Sequence, residues 1–369
     1  MTEFSADDRH AICEMLDRLL SDVANEDALR KTMASESGYD RELWEKMAEL
    51  GLTGLMVDPD HGGIGGSVHE AEAVMEIGGA HLLSGPFLHS CILAPTLLQS
   101  SSDQDLISTY LSQIASGDGI FTVAGCGESG DWTQPTSVEA QKSGRQWTLD
   151  GAAHYVVHAR NASYALVIAR TANDVGVFLV DMSNASINVT RHTSDDGSLR
   201  LSTLNFTKTP AKALEGVGAE EIGHALNVGL VALAGEQAGA TRRIFDLTIE
   251  YLNTRYQFGQ PIGRFQALKH MAAELLIEVE SSSTAARHAA RALASGSKDA
   301  ALLTYLAAFT CADNFRKVSA DAIQLFGGIA YTMEHPAHLY WRRAQTGQWL
   351  FASSDQFRDL YLSEMEAKL

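Results

Sequence analysis

The stretch that decides the fold is RYQFGQPIGRFQALKHMAAEL, residues 255–275. It reads as a helix end, a tight loop and a helix start. Gly259 can take the left-handed cap and Pro261 stops the helix. Arg255 falls in the last helical turn, where a cation suits the macrodipole. Its guanidinium fork also matches a pyrophosphate. Gln266 opens the next helix, beside backbone N–H groups that no helical carbonyl satisfies. A helical hairpin with a solvated arginine would give the same pattern.

A second such segment is AIQLFGGIAYTMEHP, residues 322–336. Gly327 and Gly328 end a helix and let a ligand approach the backbone. Gln324 lies one turn earlier and can reach the same space. Taken alone, this too could be only a C-cap.

Working outward, the chain divides into three patterns. Residues from about 218 onward carry long Ala/Leu segments, predicting helices over 219–256, 265–294, 299–326 and 336–366. Four long helices with short breaks imply an antiparallel bundle. Upstream, GIFTVAG, RQWTLDG, HYVVHA, YALVIART, VGVFLVD, SINVT and STLNFT are short and β-branched, with turn residues between them. They predict an antiparallel barrel or sandwich. The first hundred or so residues are helical. YDRELWEKMAELGL places Leu43, Met47 and Leu50 at helical spacing before Gly51, and VHEAEAVMEIGGA predicts another helix. The expected organisation is α+β, with an N-terminal helical domain over 1–117, a barrel over 118–215 and a helical bundle over 216–369.

Composition sets further bounds. The 369 residues carry 28 basic and 46 acidic side chains, a net charge of −18. That charge repels phosphate backbones, so no nucleic-acid partner is expected. The four cysteines, Cys13, Cys91, Cys126 and Cys311, lie far apart and read as reduced thiols of a cytoplasmic protein. MTEFSADDRH is too acidic for a signal or transit peptide. The uncharged run from 82 to 102 contains Pro86, Pro95 and Gln99, so no membrane span is expected. Gly125, Gly127 and Gly130 spell G-x-G-x-x-G, but Gln134-Pro135 disfavours the helix a dinucleotide fold needs there. His154 and His158, or His335 and His338, lack the further ligands of a metal site.

Together the two glycine segments resemble the acyl-CoA dehydrogenase family. The pattern R-x-x-FG-x-PI-x-x-FQ appears as Arg255, Phe258, Gly259, Pro261, Ile262, Phe265 and Gln266. The pattern Q-x-x-GG-x-x-YT-x-E-x-P appears as Gln324, Gly327, Gly328, Tyr331, Thr332, Glu334 and Pro336. LWEKMAELGLTGLMVDPDHGGIGGS resembles the family's opening helix and glycine turn. The resemblance spans nearly the whole chain. It implies a helical domain, a β-barrel and a four-helix bundle. It also implies FAD, an acyl-CoA substrate and an electron-transfer flavoprotein as acceptor. A carboxylate would remove the α-proton while the β-hydride moves to the flavin. Each flavin would be shared, its ADP half held by a neighbour through Arg255, Gln257, Phe258, Gln266, Gln324, Gly327 and Gly328.

Departures from the family pattern are organised. The usual catalytic glutamate falls at Phe351, in Phe351-Ala352-Ser353. The other known base position falls at Gly229, followed by Leu230. In the barrel, the threonine that hydrogen-bonds the flavin is replaced by Ala124, within Ala124–Asp131. The next flavin-contacting strand reads HYVVHARNAS. The chain thus resembles the small base-less subunit of heterotetrameric, steroid-type acyl-CoA dehydrogenases, completed by a base-containing partner subunit. Two alternatives stand beside this. One is a self-sufficient homo-oligomer with a relocated base at Glu236, itself also readable as an interior ion-pair member. The other is a binding protein on the same fold. Glu334 reads as structural, pairing near Arg342 or Arg343. Small residues at Gly229, Ala232 and Gly235 suggest room for a bulky acyl group.

Overall fold

The computed structural model describes residues 4–134 and 136–368. The chain forms two compact units. One comprises residues 4–6, Leu29–Ala71 and Ser84–Leu230; the other comprises Asp7–Ala28, Glu72–Leu83 and residues 231–368. The helices of the N-terminal third are α1 Ala6–Val23, α2 Glu26–Ala34, α3 Arg41–Glu49, α4 Val68–Ala80, α5 Ala94–Gln99 and α6 Gln104–Ala115. Asp40 caps α3 by accepting the N–H groups of Glu42 and Leu43. Leu43 and Met47 are buried as their spacing predicts, whereas Leu50 sits at the C-cap and is 38% exposed.

The barrel strands are β1 Phe121–Ala124, β2 Glu139–Ser143, β3 Gln146–Val157, β4 Tyr164–Arg170, β5 Val175–Asp181, β6 Ile187–Arg191 and β7 Leu201–Ala213. The pairings β4–β5, β5–β7, β7–β3 and β3–β2 are antiparallel, and β2 returns to β4 through the single residue pair Glu139–Arg170. The Arg170 guanidinium also reaches the Glu139 carboxylate at 3.0 Å. β1 runs parallel to β4, from Phe121–Tyr164 to Ala124–Val167, so the barrel is mixed at that edge. RQWTLDG and HYVVHA, expected as two strands, are one strand with register shifts at Leu149/Gly151 and Ala153/Val156. The Gly151 break looks like a turn in sequence but is a bulge in the sheet. β2 has an almost wholly exposed, polar pattern, which is why the apolar criterion passed over it.

The outer edge of β1 is closed by side chains rather than by a strand. Leu88–Leu93 is a buried π-helix. Its Ser90 Oγ accepts the Phe121 N–H at 3.0 Å, and its His89 Nδ1 accepts the Val123 N–H at 3.2 Å. Complete burial pushes the His89 pKa down to about 4, so the ring stays neutral and able to accept.

The C-terminal helices are α7 Ala219–Thr254, α8 Gln266–Ala294, α9 Ala300–Phe326, α10 Ala337–Gly347 and α11 Ser354–Glu366. The helix expected over 336–366 is therefore two. Gln348–Ser353 interrupts it, and a capping box of Ser353 and Gln356 restarts α11. In the same unit, α4 and α7 touch backbone to backbone. A Cβ on Gly235 would lie 2.4 Å from the Glu72 carbonyl oxygen, one on Gly239 1.8 Å from that of Glu76, and one on Gly79 1.9 Å from that of Glu236. Gly235 thus serves helix packing and does not open room for an acyl group, contrary to the sequence expectation. The crossing also buries the Glu72 carboxyl beside Glu76, and Glu76 pairs with Arg287 at 3.0 Å.

Two outcomes follow from this crossing. Gly239→Ala should destabilise the chain by ~3 kcal/mol, because the added methyl meets backbone that must move as a helix. A urea midpoint within error of wild type would refute the close approach. Burial first, and the Glu76 carboxylate second, push the Glu72 pKa up to about 8. An acid whose folded pKa is raised costs stability as pH rises from its ordinary value toward 8. Glu72→Gln should flatten that alkaline loss, ~4 kcal/mol at most, in urea titrations between pH 5 and 9.

Candidate functional site

The 255–275 segment differs locally from its expected form. α7 ends at Thr254, so Arg255 lies just beyond the helix, its N–H still donating to the Tyr251 carbonyl at 2.8 Å. Two short strands follow, β8 Tyr256–Gln257 and β9 Gln260–Pro261, joined by Phe258 at φ 52° and Gly259 at φ 76°. Two consecutive positive φ values are what a two-residue hairpin turn needs. Gly259 is therefore a turn residue, not a helix cap. The Ile262 N–H closes the loop onto the Arg255 carbonyl at 2.8 Å. Phe265 occupies the N-cap of α8 and offers the first N–H groups no side-chain acceptor.

Arg255, Gln257, Phe258 and Gln266 are all exposed, and Phe258 is 90% exposed. Gln324 is exposed one turn before the end of α9. Gly327 caps that helix at φ 69°, and a Cβ on Gly327 or Gly328 would meet nothing within 4 Å. The two segments meet through aromatic rings. Tyr251, one turn before Arg255, lies 5.0 Å from Phe326, the residue before Gly327. Phe326 in turn meets His335 at 4.3 Å, edge to face.

The candidate base positions differ from this open surface. Phe351 is 4% exposed and holds φ 71°, a region that bulky residues rarely occupy. Gly229 is buried within α7. Glu236 is 7% exposed, and its Oε1 accepts from Arg343 Nε at 2.8 Å and Nη2 at 2.7 Å. Arg343 is thus the partner of Glu236, not of Glu334. Tyr340, Arg343 and Gly347 share the inward face of α10. The Tyr340 hydroxyl donates to the Ala80 carbonyl at 2.8 Å. That i, i+3, i+7 stripe is the signal by which Arg343 could have been recognised as an interior group.

In the barrel unit, Ala124 is fully buried and supplies no hydroxyl. The nearby Thr122 hydroxyl is already donated to the Val157 carbonyl at 2.8 Å. Tyr155, at the bulge in β3 with φ 54°, stacks on His192 at 5.3 Å. His192 Nε2 and His154 Nδ1 both contact the Thr203 hydroxyl, at 2.9 and 3.3 Å.

Sequence comparisons align with this architecture. The profile of the acyl-CoA dehydrogenase N-terminal domain matches residues 6–118, and that of the C-terminal domain matches residues 216–359. The chain belongs to the acyl-CoA dehydrogenase family. Members of the family are FAD-dependent oxidoreductases. The acyl-CoA dehydrogenase IpdE2 of Mycobacterium tuberculosis is 28% identical over 351 residues, 94% of each protein. The acyl-CoA dehydrogenase FadE34 of the same organism is 34% identical over 320 residues; the match covers 84% of this chain and 41% of FadE34. A chain of the ChsE4-ChsE5 complex from M. tuberculosis superposes with TM-score 0.91 at 26% identity, covering 99% of both. Among the described residues, no helix is long and apolar enough to cross a membrane.

The Glu236–Arg343 pair makes a measurable claim. Glu236→Gln removes the carboxylate that pairs with buried Arg343 and should cost ~3–5 kcal/mol in urea unfolding. The double variant E236L/R343M should recover most of that loss. Equal destabilisation of the single and double variants would show that the pair is not the relevant contact.

Proposed function

We propose that this chain is a base-less subunit of a heteromeric FAD-dependent acyl-CoA dehydrogenase, lending the ADP half of a shared FAD to its partner. The observation that carries this is the state of the acids. Phe351 and Gly229 occupy the two family base positions, and the nearby Glu236 is held by Arg343. A carboxylate accepting two hydrogen bonds from a buried guanidinium is poorly placed to take a substrate proton. The relocated-base reading loses its support with that pair.

The nucleotide end fits an ADP group. Open space at Gly327 and Gly328, exposed Arg255 and Gln324, and the uncapped start of α8 at Gln266 supply a fork, an amide and backbone donors. Gln257 and exposed Phe258 complete the candidate set. The flavin-ring end fits less well, since Ala124 offers no hydroxyl and Thr122 is spoken for. FAD, when bound, accepts the β-hydride of the acyl-CoA. On this reading the chain's own residues bind and orient the nucleotide, and the partner subunit removes the α-proton. The ChsE4-ChsE5 neighbour, a complex of two named proteins, supports a heteromer. The steroid-type acyl group rests on the resemblance alone, because Gly235 is filled by α4. An electron-transfer flavoprotein as acceptor and a cytoplasmic location belong to the same proposal.

The deciding measurement is the flavin-to-protein ratio and native mass of the chain, alone and co-expressed with a base-containing homologue from its own genome. The expected result is a flavin-poor chain alone and one FAD per heterodimer with the partner. One FAD per subunit and acyl-CoA oxidation by the chain alone would overturn the proposal.

A further inference from the structure

We propose that His335 is a positioning residue for the nucleotide end of the site, acting through Phe326 on Gly327 and Gly328; this rests on the proposed ADP-lending role. Two contacts of the His335 side chain bear on this. Its Nδ1 accepts the Ala337 N–H at 3.2 Å, at the start of α10. Its ring packs edge to face on Phe326, with centroids 4.3 Å apart and planes at 62°. Phe326 is 5% exposed and is held from the other side by Tyr251 at 5.0 Å.

The position of Phe326 is what gives this contact consequence. It is the last residue of α9, and Gly327 follows at φ 69°, ψ −145°. Torsions there determine where Gly327 and Gly328 present their open face. No atom lies within 4 Å of a would-be Cβ on either glycine, so the pair is held through the chain on either side: the Gly327 N–H donates to the Ile323 and Gln324 carbonyls, and Gly327–Tyr331 forms a 3-10 turn anchored by buried Ala330. On the N-terminal side the support is the preceding ring, clamped between Tyr251 and His335. Tyr251 also lies four residues before Arg255, whose N–H it accepts. The three rings therefore join the arginine hairpin, the end of α9 and the start of α10. A displacement of about 1 Å in such a support is enough to degrade a binding geometry.

These two contacts can be separated. His335→Asn keeps a side-chain acceptor for the Ala337 N–H and removes the ring. His335→Phe keeps the ring and removes the acceptor. The probe is ADP alone, titrated into the full-length chain by calorimetry or ligand-observed NMR, with thermal unfolding followed in parallel. Arg255→Gln serves as the control for the site.

ADP affinity should fall roughly five- to twentyfold in His335→Asn and stay within twofold of wild type in His335→Phe, whatever their melting temperatures. Equal ADP affinity in both His335 variants, with binding still lost in Arg255→Gln, would overturn the positioning role and leave the nucleotide reading intact. Loss in His335→Phe but not His335→Asn would assign the effect to the helix cap and also overturn it. No ADP binding by the wild type, or binding that Arg255→Gln leaves untouched, would overturn the nucleotide reading and this inference with it.

Discussion

The contact on which most else depends is the backbone approach of α4 to α7. Where Gly235, Gly239 and Gly79 meet carbonyl oxygens, only hydrogen fits. Such a contact fixes the rotation of α7 about its own axis as well as its distance from α4. With that rotation set, Glu236 points its carboxylate at Arg343 of α10, and the far end of α7 brings Tyr251 against Phe326. The candidate nucleotide site is therefore supported from a crossing that contributes no group to it. Conversely, the crossing creates the polar burden at its flanks, where Glu72 is buried beside Glu76 and needs its proton to stay there.

Much of the fold was legible because period and punctuation agreed. α4, α8 and α9 begin and end within a residue or two of where apolar spacing and glycine placed them. What sequence could not show were facts that depend on partners far along the chain. β2 is polar because most of its side chains face solvent, and only its pairing to β3 makes it a strand. Arg343 looks like any arginine until α10 is packed. Gly259 read as a helix cap, because a hairpin of two-residue strands has no apolar alternation to announce it. Glycine also misled in the other direction. Gly235 resembled a place to fit a ligand, but another helix already uses that space.

The candidate site is asymmetric in its physics. At the nucleotide end, groups are exposed, glycines are open and helix donors are uncapped, so the surface looks unfinished without something polar against it. At the positions where proton chemistry would sit, the chain is finished and closed, with Phe351 buried and Glu236 paired. Chains that do their own chemistry ordinarily carry the reverse, an ionisable group kept available in a pocket. Here the ionisable groups of the interior serve packing, and on the proposed reading the open groups serve recognition.

The π-helix at Leu88–Leu93 has one more consequence. A strand edge with unpaired N–H groups is a template on which another chain can add itself. β1 avoids this because it is wholly buried and because Ser90 and the neutral ring of His89 accept the N–H groups of Phe121 and Val123. A doubly protonated imidazole has no lone pair left for Val123. Acidification toward the depressed pKa of His89 would thus leave the Val123 N–H without that acceptor, while Ser90 still holds Phe121.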